Sequence, residues 1–127
     1  MLEDQKRLLV VDDESVVAEF MARVLGKQGY AVDVATNGEL AKGLLELNSY
    51  ELIIVDIRMP KMNGIQLYEY IKATWPSLAN RVVFTSGELV DTQTLNYLAA
   101  EHRLFLHKPF GSEALMNAVD KTLQAIE

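Results

Sequence analysis

A chain of 127 residues, half of them apolar, has the size of one compact domain and can bury a continuous core, so a single domain over residues 1–127 is expected. A formal net charge of −6 argues against direct contact with nucleic acid or an anionic membrane surface, because both are themselves anionic. The absence of cysteine removes disulfides, thiolate metal sites and thiol nucleophiles. No apolar run reaches bilayer-spanning length, and the start "MLEDQKR" carries charge where a signal peptide needs an apolar core. A cytoplasmic domain is expected, whose parent protein could still be attached to a membrane.

Short apolar runs alternate with longer amphipathic ones. "RLLVV" (7–11) has the length and β-branched content of a strand. After it, Val16, Val17, Phe20, Met21, Val24 and Leu25 recur at helical spacing until Gly26 and Gly29 supply a stop. "AVDVA" (31–35) predicts strand 2 and residues 37–47 helix 2. "ELIIVD" (51–56) predicts strand 3, and residues 64–75 predict a helix ended by Pro76. "RVVFTS" (81–86), a helix over 92–101, "RLFLHK" (103–108) and a helix from Ser112 to Ile126 complete five βα units.

Strict β/α alternation implies a parallel sheet with right-handed crossovers and helices on both faces. For five strands the flavodoxin-like α/β order 2-1-3-4-5 is expected, with ligand chemistry at the carboxyl ends of the strands beside the switch point between strands 1 and 3. Those ends carry Asp12 and Asp13, Asp56, Thr85 and Ser86, and Lys108. An oxygen-rich set without His or Cys suits a hard cation such as Mg²⁺, which keeps waters and shares its shell with phosphate oxygens. Asp56 ends the most apolar strand and precedes the loop "IRMPKMNG", which makes it the candidate nucleophile toward phosphorus. Lys108 and a metal would then neutralise the transferring phosphoryl oxygens.

With "LLVVDDE", "IIVDIRMPKMNG", "VVFTSG" and "LHKPF" in order at the strand ends, the chain resembles the bacterial two-component receiver, or response-regulator, domain over almost its whole length. The resemblance implies that Asp56 is the phosphoacceptor, Asp13 a direct Mg²⁺ ligand, Asp12 the holder of a metal-bound water, and the Arg58 backbone carbonyl a further ligand. It makes Lys108 the phosphate-pairing lysine and Pro109 a cis proline. Ser86, followed by a small residue, matches the switch hydroxyl better than Thr85, and Phe105 matches the switch aromatic. Since phenylalanine has no hydroxyl, a switch at Phe105 would work by packing alone. Implied partners are a histidine kinase or a histidine phosphotransfer domain, with readout, including a homodimer, through helix 4, strand 5 and helix 5. No output region is expected after helix 5.

"AEHR" (100–103) stands where many receivers carry a Gly-Ala pair, a form similar to receivers of hybrid sensor histidine kinases, and it argues against assuming the familiar helix 4 dimer face. Taken singly, the site residues have simpler explanations. Asp12, Asp13 and Glu14 could favour the positive end of a helix, and Ser86 could be a turn residue. His102 and His107 lack a second ligand nearby and are expected to be surface and strand side chains; Phe20, Met21 and Leu25 are expected in the core and Trp75 at a helix end. Arg58 and Glu88, two residues beyond Asp56 and Ser86, could pair across the mouth. A flavin protein would need an anion-accepting loop after strand 1, which "DDES" is not. A haloacid-dehalogenase-type phosphatase would place Asp-x-Asp there. An interaction module that is never phosphorylated is the remaining alternative.

Overall fold

The computed structural model describes residues 5–125. Strands β1 (Arg7–Val11), β2 (Ala31–Ala35), β3 (Leu52–Asp56), β4 (Val82–Ser86) and β5 (Phe105–His107) alternate with helices α1 (Ser15–Lys27), α2 (Gly38–Leu47), α3 (Gly64–Thr74), α4 (Thr92–Ala100) and α5 (Ser112–Gln124). All pairings are parallel and the sheet order is β2-β1-β3-β4-β5, the expected flavodoxin-like arrangement. Among the described residues, no helix is long and apolar enough to cross a membrane.

The central strands read as apolar runs because both of their faces are covered. Successive side chains point to opposite sides. Leu9, Val11, Ile53, Val55 and Phe84 pack with Leu45 of α2, Leu67 and Ile71 of α3, and Leu98 of α4. Leu8, Val10, Leu52, Ile54 and Val83 pack with Met21 and Leu25 of α1 and Leu115 and Val119 of α5. Each such side chain contributes about 1.5–3 kcal/mol by leaving water, which fixes the strand ends as a rigid platform. Phe20, expected in the core, is only half-buried and stacks at a tilt on Phe110, 6.4 Å between centroids. Trp75 ends α3 and meets Tyr70 edge-on.

Local sequence sets the helix starts. Asn37 accepts from the Leu40 N–H, Asn63 forms a capping box with Gln66, and Asp91 accepts from the Thr94 N–H at 2.7 Å. The expected helix to Ile126 reaches Gln124 as described; Ile126 lies outside the described residues.

The strand expected over 81–86 starts one residue later, since Leu78–Arg81 is a 3₁₀ turn. The strand expected over 103–108 shrinks to Phe105–His107. His102 takes a left-handed φ of 58°, and Arg103 turns inward to act as a connector. Its guanidinium donates to the carbonyls of Glu101, Ala79 and Val82, so the residue closes the turn rather than extending the sheet. Arg103→Ala should cost about 2 kcal/mol in urea unfolding, because half-buried carbonyls lose a charged donor.

Candidate functional site

The ladder continues one residue past the strands. Asp12 N–H donates to the Ala35 carbonyl, Ile57 N–H to Thr85 and Lys108 N–H to Ser86, at 3.0, 2.8 and 2.8 Å. These bonds fix the places where Asp12, Asp56 and Lys108 leave the sheet, at the crevice where strand order reverses.

Lys108 reaches across the crevice. Its Nζ lies 2.6 Å from Glu14 Oε1, 3.0 Å from Asp12 Oδ2 and 3.3 Å from Asp56 Oδ2. Asp12 and Asp56 are buried, whereas Asp13 is exposed. The backbone helps: Glu14 N–H donates to Asp12 Oδ1 at 2.9 Å, and Arg58 N–H makes a long 3.4 Å contact with Asp56 Oδ1. The Lys108–Pro109 peptide is cis.

Burial, then the charge of Asp12, pushes the Asp56 carboxyl up to about 6 against the opposing pull of Lys108. Burial likewise raises Asp12. Burial acts to lower Lys108, but its close contacts with Glu14 and Asp12 and the charges of Asp12 and Asp56 outweigh it, leaving the ammonium raised.

Asp12, Asp13 and Asp56 each offer one oxygen, all within 4.8 Å of one another. Asp12 Oδ2 is buried and, despite its ion contact with Lys108, makes no hydrogen bond. An acceptor left in that state, in an all-oxygen donor set, fits a hard divalent cation.

Ser86 is buried, and its hydroxyl is turned onto the Glu88 backbone, donating to the carbonyl and accepting from the N–H, both at 3.3 Å. Thr85 Oγ1 is buried with no hydrogen-bond partner among the described residues. Phe105 is half-buried against the core that contains Phe84, and edge-on to His107. Arg58 and Glu88 pair at 3.0 Å, both well exposed.

Two contributors escaped sequence reasoning. Glu14 was visible only as one more acid, because its pairing with Lys108 joins residues far apart in the chain. Gly64 opens α3 pressed against the end of β3: a Cβ there would run into the Asp56 carbonyl oxygen and come within 2.9 Å of Ile57 Cα. Its place at the end of "IRMPKMNG" was the available signal.

A family model for the response regulator receiver domain matches residues 8–120. The chain belongs to that family. Receiver domains are phosphoacceptor switches of two-component signalling systems. This receiver is 31% identical to the response regulator receiver protein CpdR of Brucella abortus over 120 residues, 94% of this chain and 98% of that one. It is 28% identical to the transcriptional regulatory protein DltR of Streptococcus agalactiae over 110 residues, 87% of this chain and 48% of that protein. The chain thus spans about half the length of several curated relatives that it matches. A CheY-like receiver domain protein from Methanospirillum hungatei superposes with a TM-score of 0.87 at 21% identity, covering 97% of both chains.

The raised Asp56 has a consequence for stability. An acid with a folded pKa of about 6 and an ordinary value of 3.8 holds more protons folded than unfolded, so its effect on stability becomes unfavourable as pH rises between those values. In divalent-free buffer at about pH 7.5, Asp56→Asn should be more stable than the native receiver by about 1–3 kcal/mol, with the gap closing toward about pH 4 in urea unfolding.

Proposed function

We propose that Asp56 accepts a phosphoryl group from a phosphohistidine on a histidine kinase or a histidine phosphotransfer domain. The observation that carries this is the Lys108 ammonium 3.3 Å from Asp56 Oδ2, beside two further carboxylates suited to a divalent cation. In the transfer a carboxylate oxygen of Asp56 forms the new P–O bond as the P–N bond breaks, and the bonding pair stays on the imidazole nitrogen. Lys108 neutralises a phosphoryl oxygen. Asp12, Asp13, Asp56 and the Arg58 carbonyl would hold Mg²⁺, whose charge would further neutralise the phosphoryl oxygens.

Ser86 would leave the Glu88 backbone to donate to a phosphoryl oxygen, and the Phe105 ring would repack without any hydroxyl of its own. Such coupling is a shift between two populated arrangements. A cavity of about 540 Å³ beside Lys108, lined largely by Val16, Val17, Phe20, Pro109 and Phe110, favours a protein donor, since it offers apolar surface next to the charged centre. Residues 1–127 form one receiver, whose output passes through protein contacts, including those of helix α4, strand β5 and helix α5, or through a longer parent.

Intact mass after incubation with acetyl phosphate tests the chemistry. One added phosphoryl group should require both Mg²⁺ and Asp56, and should be absent in Asp56→Asn and strongly slowed in Lys108→Ala. No addition from acetyl phosphate or from a phosphorylated kinase would leave an interaction module that is never phosphorylated. The Arg58–Glu88 pair, two residues beyond Asp56 and Ser86, would restrict attacking water, so Arg58→Ala and Glu88→Ala should shift the phosphoryl half-life in the same direction. Unchanged lifetimes in both would remove that role.

A further inference from the structure

Glu14 occupies the N-cap of α1, yet its side chain makes no capping bond. Short acceptors usually fill that position because they reach the free N–H groups of the first turn. Here the carboxylate turns the other way, onto Lys108 Nζ, in the shortest of that ammonium's three carboxylate contacts. The three partners differ in freedom. Asp12 and Asp56 side chains are 0% and 4% exposed, whereas that of Glu14 is 60% exposed and can swing into water.

An ammonium has three N–H donors, and Lys108 meets three carboxylates. It hydrogen-bonds two of them, Glu14 and Asp56, and an incoming phosphoryl oxygen competes with these partners for the ammonium. The buried pair is held by the ends of β1 and β3, so Glu14 is the partner that can leave. We infer that Glu14 is a placeholder counter-ion: it keeps Lys108 aimed over Asp56 in the unmodified receiver, competes with incoming phosphoryl oxygens, and thereby sets how tightly the site holds small phosphoryl-like anions. Glu14 is a positioning residue acting through Lys108, and the inference rests on the proposal that Lys108 pairs with the phosphoryl group. Glu14 and Lys108 both line the 540 Å³ cavity.

The test compares native receiver, Glu14→Gln and Glu14→Asp. Each is titrated with beryllium fluoride in the presence of Mg²⁺, followed by the amide NMR shifts of Ser86 and Gly87. Glu14→Gln should bind about fivefold more tightly, the scale of a partly exposed ion pair. Glu14→Asp keeps the charge but is one methylene too short for the contact, and should follow Glu14→Gln. With acetyl phosphate, both variants should lower the half-saturating concentration. Unchanged affinity in Glu14→Gln, or a Glu14→Asp that matches native, would overturn the placeholder role. Native receiver that shows no response to beryllium fluoride would overturn the Lys108 proposal and this one together; a native response with an unaltered Glu14→Gln overturns this one alone.

Discussion

One ammonium group holds the strand-end crevice together. Lys108 Nζ sits among Glu14, Asp12 and Asp56, with Asp13 close by, so a single positive charge faces four carboxylates. Buried carboxylates lose hydration and repel one another, and both Asp12 and Asp56 respond with raised pKa values. The imbalance is costly for the isolated fold and useful for binding, because a divalent cation that enters relieves part of it. Asp12 and Asp56 do not drift apart, because each stands at the end of a strand whose preceding residues are fully buried.

That rigidity comes from a parallel sheet whose outer faces are both packed. Leu8 to Val11, Leu52 to Val55 and Val82 to Phe84 are inaccessible to water, so the register of β1, β3 and β4 cannot slip without exposing a whole row of apolar side chains. Backbone hydrogen bonds one residue past each strand then carry the register into the site. Gly64 completes the support by letting the start of α3 lie directly against the Asp56 carbonyl.

Helix α4 is held less firmly than the sheet. Leu98 is its one fully buried apolar residue, and Tyr97 packs on the core with its hydroxyl buried and unpaired among the described residues. Just past the helix, Glu101 accepts hydrogen bonds from Tyr68 and Lys72 of α3 at 2.7 and 2.8 Å, and Arg103 ties the turn to Ala79 and Val82. The carboxyl end of the helix is therefore moored and the rest of it rests on few buried contacts. Elements that respond to ligands come from this weakly packed class, and α4 adjoins both the Ser86 loop and β5, which bears Phe105.

The alternation of apolar runs with helical periodicity determined the fold class, the strand order and the location of the acids, because a parallel βαβ chain has few ways to bury both faces of its sheet. It also placed Asp12, Asp13, Asp56 and Lys108 on one edge, since each follows directly on an apolar run. Tertiary structure alone decided what those residues touch. Glu14 takes Lys108 instead of capping α1, Arg103 spends its donors on three carbonyls and shortens β5, and Phe20 opens onto a cavity beside Lys108 rather than closing the core. Each of these outcomes depends on the direction of a long side chain toward a partner remote in sequence. Periodicity reports which face a residue occupies, while the partner it finds there is settled only when the elements pack.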